Sequence, residues 1–237
     1  MIHPKSFRKP FLLLVAVGMA AAPTTTSALE NEQLRYTINW PSGLSLGEAQ
    51  LAASTSKSAE GKASLHLSFD IDAGIPGFAV SDRYRSEPSG EFCSGEFHKQ
   101  STHGSKKTDE KLTFDAETVT VKRQTAGGGE SQVSTAQCPK DALTFLYFVR
   151  HELSQGRIPP PQTVWFGSPY EVHLEFTGTQ TIRIQDHPVE ADRVAASAKG
   201  PTSGIAFEVF FLKDRTHTPA LVRVPLALGT FSMELER

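Results

Sequence analysis

Apart from its N-terminus, the sequence has no long apolar run. The longest, Phe11 to Ala22, has 12 residues, short of the roughly 20 that span a bilayer as a helix. No cluster of lysine and arginine occurs, which argues against nucleic acid as a partner, because phosphate binding needs a positive footprint. Signatures of catalysis are missing as well. There is no Gly-x-Ser-x-Gly elbow, and His151-Glu152 opens a zinc-protease motif only to meet Gln155 where the second histidine belongs. Gly127 to Gly129 is followed by no lysine and reads as a hairpin tip rather than a phosphate loop. Cysteine is scarce: Cys93 and Cys138 stand 45 positions apart, and His98 and His103 nearby do not make up the close ligand pair of a structural zinc site. No catalytic residue, metal or cofactor is expected.

What is present points first to export. Lys5, Arg8 and Lys9 precede the apolar run, and small residues ending in Thr26, Ser27 and Ala28 follow it. That order is a secretory signal peptide, residues 1–28, with cleavage after Ala28. No cysteine lies near the cut, so no lipid anchor is expected there. Removing 28 of 237 residues leaves 209, with 21 basic and 26 acidic side chains and a net charge of −5. The mature protein is expected in the periplasm of a Gram-negative-type bacterium, not spanning the membrane once the signal is removed. In that oxidising compartment the two cysteines predict a disulfide, Cys93–Cys138.

The remaining residues, 29–237, read as one mainly β domain. Leu34, Tyr36, Ile38 and Trp40 alternate with polar neighbours, as do Leu65, Leu67, Phe69 and Ile71. Tyr170, Val172, Leu174 and Phe176 repeat the pattern, and Phe231, Met233 and Leu235 close the chain with it. Period two predicts antiparallel strands with one wet face. Turn residues such as Pro41-Ser42-Gly43, Pro88-Ser89-Gly90 and Gly200-Pro201 separate them. Only residues 141–155 change period. Ala142, Phe145, Leu146, Val149 and Leu153 share a helical face, with Asp141 as N-cap and Gly156 as stop. Thr144, His151 and Ser154 are left as a narrow wet stripe. A helix this apolar is enclosed, packed into or across the open end of a curved sheet. The architecture expected is an antiparallel curved sheet, or a closed or partly open β-barrel, with one enclosed helix.

Four segments resemble an exported bacterial family, domain of unknown function 3108. Tyr36 to Leu51 is similar to its opening strand, glycine-containing turn and second strand. Asp82 to Ser86 (DRYRS) resembles its Asp-x-Tyr-x-Ser strand, and Asp141 to Arg150 (DALTFLYFVR) resembles its helix. Pro219 to Leu235 resembles its closing strands. Ala142 departs from the usual proline at the first helical position, without harm to a helix. The resemblance implies an exported barrel-like fold and no particular activity.

Two sets of residues stand out as candidate sites. Asp82 shares a face with Phe78, Val80 and Tyr84, and a carboxylate on a core face needs a partner. Arg150, bordering the buried helix face, is the expected one, in a structural ion pair. Trp40, Tyr84 and Tyr147 are candidate binding residues of an apolar interior, among many large side chains that include Phe69, Phe78, Phe176, Phe207 and Phe211. Asp70 and Asp72 share a polar face with His66 and Ser68 and read as solvated surface. The reading reached is a non-enzymatic envelope protein that holds a lipid-like ligand or serves as a scaffold for another envelope protein. The alternative is a hydrolase of an envelope glycan or lipid, which needs converging carboxylates at a cleft.

Overall fold

The computed structural model describes residues 31–57 and 63–236; the segment read as a signal peptide lies outside them. Eight strands come first: β1 (Glu32–Asn39), β2 (Ser45–Lys57), β3 (Ala63–Ile75), β4 (Phe78–Gly90), β5 (Cys93–His103), β6 (Lys106–Asp115), β7 (Thr120–Thr125) and β8 (Glu130–Ser134). A two-residue strand, β9 (Lys140–Asp141), leads into the helix α1 (Ala142–Ser154). Six more follow: β10 (Gln162–Phe166), β11 (Ser168–Ile184), β12 (His187–Lys199), β13 (Gly204–Leu212), β14 (Pro219–Leu226) and β15 (Gly229–Leu235). All 15 belong to one sheet in the order β8-β7-β6-β5-β4-β3-β2-β1-β15-β14-β13-β12-β11-β10-β9.

Two antiparallel meanders are therefore joined where the first strand meets the last, with Tyr36 opposite Leu235. Among the described residues only β9 and β10 run parallel. The sheet does not close, and its free edges, β8 and β9, both come from the middle of the chain. Edge β8 is short and exposed along its length, with Glu130, Ser131 and Gln132 discouraging further pairing. Register breaks at Ile38/Asn39, Glu87/Pro88 and Phe176/Gly178 add curvature. Close approach of β2 to β3 needs glycine at position 47, where φ is +153° and a Cβ would stand 2.1 Å from the Asp72 carbonyl oxygen.

Alternation sorts most faces as expected. Tyr36, Leu67, Val172 and Leu235 are buried, and Leu34, Leu65, Phe69, Ile71 and Met233 pack against the core. On the outer face Arg83 grips Asp72 and Arg85 grips Asp70, so that acidic pair is neutralised at the surface. Two aromatics break the pattern. Phe176 is exposed beside the β11 bulge, which bends the strand. Phe78 is exposed at the β3–β4 turn, where β4 begins and lies over Gly104 instead.

The helix forms where its period predicts. Asp141 caps it, accepting from the Leu143 and Thr144 amides at 2.8 and 3.1 Å, and Gly156 (φ +70°) ends it. Thr144, expected on the wet stripe, is buried instead. Its hydroxyl bonds the cap carboxylate, so the polar atom is satisfied without water. Cys93 and Cys138 form a disulfide with Cα atoms 4.6 Å apart. It ties the start of β5 to the segment leading into β9. In the chain-entropy model a loop of this length stabilises by about 4 kcal/mol.

Candidate functional site: an apolar cavity under the helix

The curved sheet has two ends. At one, the β4–β5 and β13–β14 connections and the start of β1 gather beneath α1. Phe92 of the β4–β5 turn packs on the rings of Phe148 and His151. At the other lie the β1–β2, β3–β4, β12–β13 and β14–β15 turns, with no helix over them.

Between the ends runs a cavity of about 750 Å³. Its roof is the inner face of α1, with Leu143, Phe145, Leu146 and Val149. Strand β13 supplies a wall through every second residue, Ile205, Phe207, Val209 and Phe211. These six residue steps make the cavity about 20 Å long at roughly 3.4 Å per residue. Facing them are Phe69 and Ile71 of β3 and Tyr84 of β4. Ser203 and Gly204, in and after the exposed β12–β13 turn, line the mouth.

Two phenols along this wall are engaged by the protein itself. The Tyr36 hydroxyl donates to the Pro219 carbonyl at 2.9 Å, and the Tyr84 hydroxyl donates to Asp82 Oδ2 at 2.9 Å. Burial pushes both phenols well above their usual range, and the Asp82 charge pushes Tyr84 further. Both therefore remain neutral donors, turned to protein acceptors. A charged guest would lie here without compensation, which is costly. A hydrocarbon guest loses nothing.

The helix is held over this space by two polar anchors. At its N-terminus, Asp141 Oδ2 accepts from Ser86, Ser94 and Thr144 hydroxyls, and the Asp141 amide donates back to Ser94 Oγ at 2.7 Å. All four residues are buried. Further along, Arg150 forms a two-pronged pair with Glu32 at 2.6 and 2.7 Å and donates through Nε to the Thr216 carbonyl at 2.9 Å. Burial opposes the Arg150 charge, but the Glu32 carboxylate outweighs it and raises the guanidinium above its ordinary value.

The expected Asp82–Arg150 pair is therefore corrected. Asp82 is buried, as its face requires, but its partners are Tyr84 and His103, whose Nε2 is 2.9 Å from Oδ1. His103 lies on the neighbouring strand two positions from Ser101, which pairs with Asp82, within reach along the same face. Arg150 is bonded to Glu32 of β1 instead. Of the three candidate binding residues, Tyr84 lines the cavity. Trp40 does not: it lies just past the end of β1 and packs edge-on against Phe231, with centroids 4.9 Å apart. Tyr147 does not either; it is buried, stacks on Arg150 and donates to Glu32 at 3.0 Å. Sequence reasoning missed Glu32, Ser86 and Ser94 as anchor residues and His103 as the partner of Asp82. Position 86 carried a signal, being on the same face as Asp82 and Tyr84.

Fold and site define an open, barrel-like antiparallel sheet, capped by one helix over an apolar cavity. The family model described as Protein of unknown function (DUF3108) matches residues 35–236. The chain belongs to that family. Nothing among the curated proteins matches it. A solved structure, the beta-barrel-like protein of domain of unknown function DUF1849 from Brucella abortus, is similar in fold with a TM-score of 0.58. It is 8% identical, and the match covers 88% of this chain and 97% of that one. Among the described residues no helix is long and apolar enough to cross a membrane.

Proposed function

We propose that the protein is an exported, non-enzymatic binder of an apolar, lipid-like molecule whose hydrocarbon chain lies in the cavity under α1. The observation that carries this reading is the cavity itself. Its 750 Å³ falls within the about 300–1,000 Å³ usual for small-molecule sites, and its lining is mainly apolar. A scaffold with a filled interior has no need of such a space. A hydrolase needs carboxylates converging on a cleft, whereas Asp70 and Asp72 are bonded to arginines on the outer face. Export is supported by the charged, apolar and small-residue order of the first 28 residues. The disulfide suits an oxidising compartment.

Native mass spectrometry of protein recovered from the cell envelope, with solvent extraction, tests both halves. A chain starting at Leu29 and carrying an extractable lipid-like adduct is expected. Ala196→Phe, which fills the cavity from a lining position on β12, is expected to lose the adduct while remaining folded. A bare mass together with no uptake of fluorescent fatty acid would end the binding reading. An intact Met1 would end the export reading.

A further inference from the structure

The open end has a composition unlike the rest of the surface. Among the described residues, eight large hydrophobic side chains are exposed, and six of them are at this end: Leu44, Ile75, Phe78, Ile205, Leu226 and Leu228. Leu228 and Leu44 are the most exposed, at 71% and 66%. They sit on adjoining turns that brace one another. Pro41 lies so close to Gly229 that a Cβ there would be 2.8 Å from its ring, which links the β1–β2 and β14–β15 turns. The Phe78 ring covers Gly104, linking β3–β4 to β5–β6.

Charge is distributed just as unevenly. Seven connections reach this end, those after β1, β3, β5, β7, β10, β12 and β14, and none contains aspartate or glutamate. Exposed Lys106, Lys107 and Lys199 border them. Of the carboxylates nearest them, Glu130 is paired with Lys122 and Glu171 stands opposite Lys199 in the β11–β12 ladder. The opposite end differs, with Glu91, Glu117, Asp186 and Asp214 in its connections. The cavity mouth at Ser203 and Gly204 opens among the apolar tips and the lysines.

We propose that the open end docks on an anionic lipid bilayer, with the Leu44, Leu226 and Leu228 tips entering the interface and the cavity mouth facing the membrane. Exposed apolar groups on this scale mark an interaction surface. Exposed lysines beside connections that carry no carboxylate suit an anionic headgroup layer. A mouth held against the bilayer would let a hydrocarbon chain pass between membrane and cavity without crossing water. That purpose rests on the cavity reading; the docking itself does not.

Flotation of the purified protein with vesicles is the test, using phosphatidylcholine alone and phosphatidylcholine mixed with phosphatidylglycerol. The protein is expected to float with the anionic vesicles. The double variant Leu44→Ser/Leu228→Ser should lose about tenfold in partitioning, from the apolar area no longer buried, with an unchanged thermal midpoint. Replacing Lys106, Lys107 and Lys199 by glutamine should lower anionic binding by about fivefold per lysine. As a second measurement, Leu228→Trp should shift its fluorescence to the blue when anionic vesicles are added. No flotation with either vesicle, or equal flotation of the wild type and the leucine double variant, overturns the proposal and leaves a protein partner as the occupant of this face. Ala196→Phe separates the two readings. It should lose its guest yet still float, so a failure of docking and a failure of the cavity are seen independently.

Discussion

The two ends of the sheet handle polar and apolar groups in opposite ways. At the closed end, buried hydroxyls, carboxylates and a guanidinium satisfy one another across α1, β1, β4 and β5. Toward the open end the buried polar contacts among the described residues reduce to Asp82 with Tyr84 and His103, and large apolar side chains meet solvent. Buried polar networks are costly when incomplete and specific when complete. They therefore fit an end whose task is to fix the helix in one position. Exposed apolar tips cost solubility and contribute nothing to the fold, so they fit an end that meets something else. Stability should accordingly reside at one end and interaction at the other.

The largest break in that comparison should come from Arg150→Met. It strands the Glu32 carboxylate and removes the donor to the Thr216 carbonyl. Losing one member of a buried pair typically costs about 3–5 kcal/mol. Adding Glu32→Leu should recover part of that loss. Urea midpoints at constant slope give the values, and strictly additive losses would show that the two groups do not couple. By the same cycle, Asp82→Asn and Arg150→Met should be additive within about 0.5 kcal/mol, because the two groups have separate partners.

A somewhat smaller effect is expected from Asp141→Ala. The cap bonds are worth about 1 kcal/mol. Leaving the Ser86, Ser94 and Thr144 hydroxyls short of an acceptor adds about 1–3 kcal/mol. Hydrogen exchange should show the first turn of α1 opening ahead of the sheet. If exchange there rises no faster than in β4, Asp141 is not the anchor that the geometry indicates.

The contrast between the ends was legible in the sequence only in part. Strand alternation placed Tyr36, Leu67 and Leu235 inward, and the change of period located α1 and its cap, because both patterns are local. Disulfide pairing followed from a count of two. The partner of Asp82 was not legible, because parity says which face a side chain occupies and nothing about what lies across the sheet. Register sets that, and register brings His103 to Asp82, while Arg150 meets Glu32 from a helix far along the chain. Trp40 was misassigned by extending β1 one residue past Asn39, where the bulge and turn redirect the chain. The cavity left no mark in sequence: Phe207 and Val209 read alike whether they touch another side chain or an empty space.

The smallest effect concerns His217, in the β13–β14 connection beside the Arg150 anchor. Its Nδ1 is buried with no hydrogen-bond partner among the described residues. Burial lowers its pKa from the ordinary value of 6.5, against the pull of Asp192 and Asp214 and aided by Arg150 and Lys213. The unfolded chain therefore binds the proton more readily than the folded one. The sign follows: this contribution to stability is fully present above about pH 6.5 and is lost as pH falls through the lower folded value. Urea midpoints should decline between about pH 7 and pH 5. His217→Asn, which tolerates the positive φ of 46° at this position, should flatten that decline. An equal slope in the variant would place the titration elsewhere. A flattened one would show that the buried imidazole beside the Arg150 anchor is where the closed end resists an added proton.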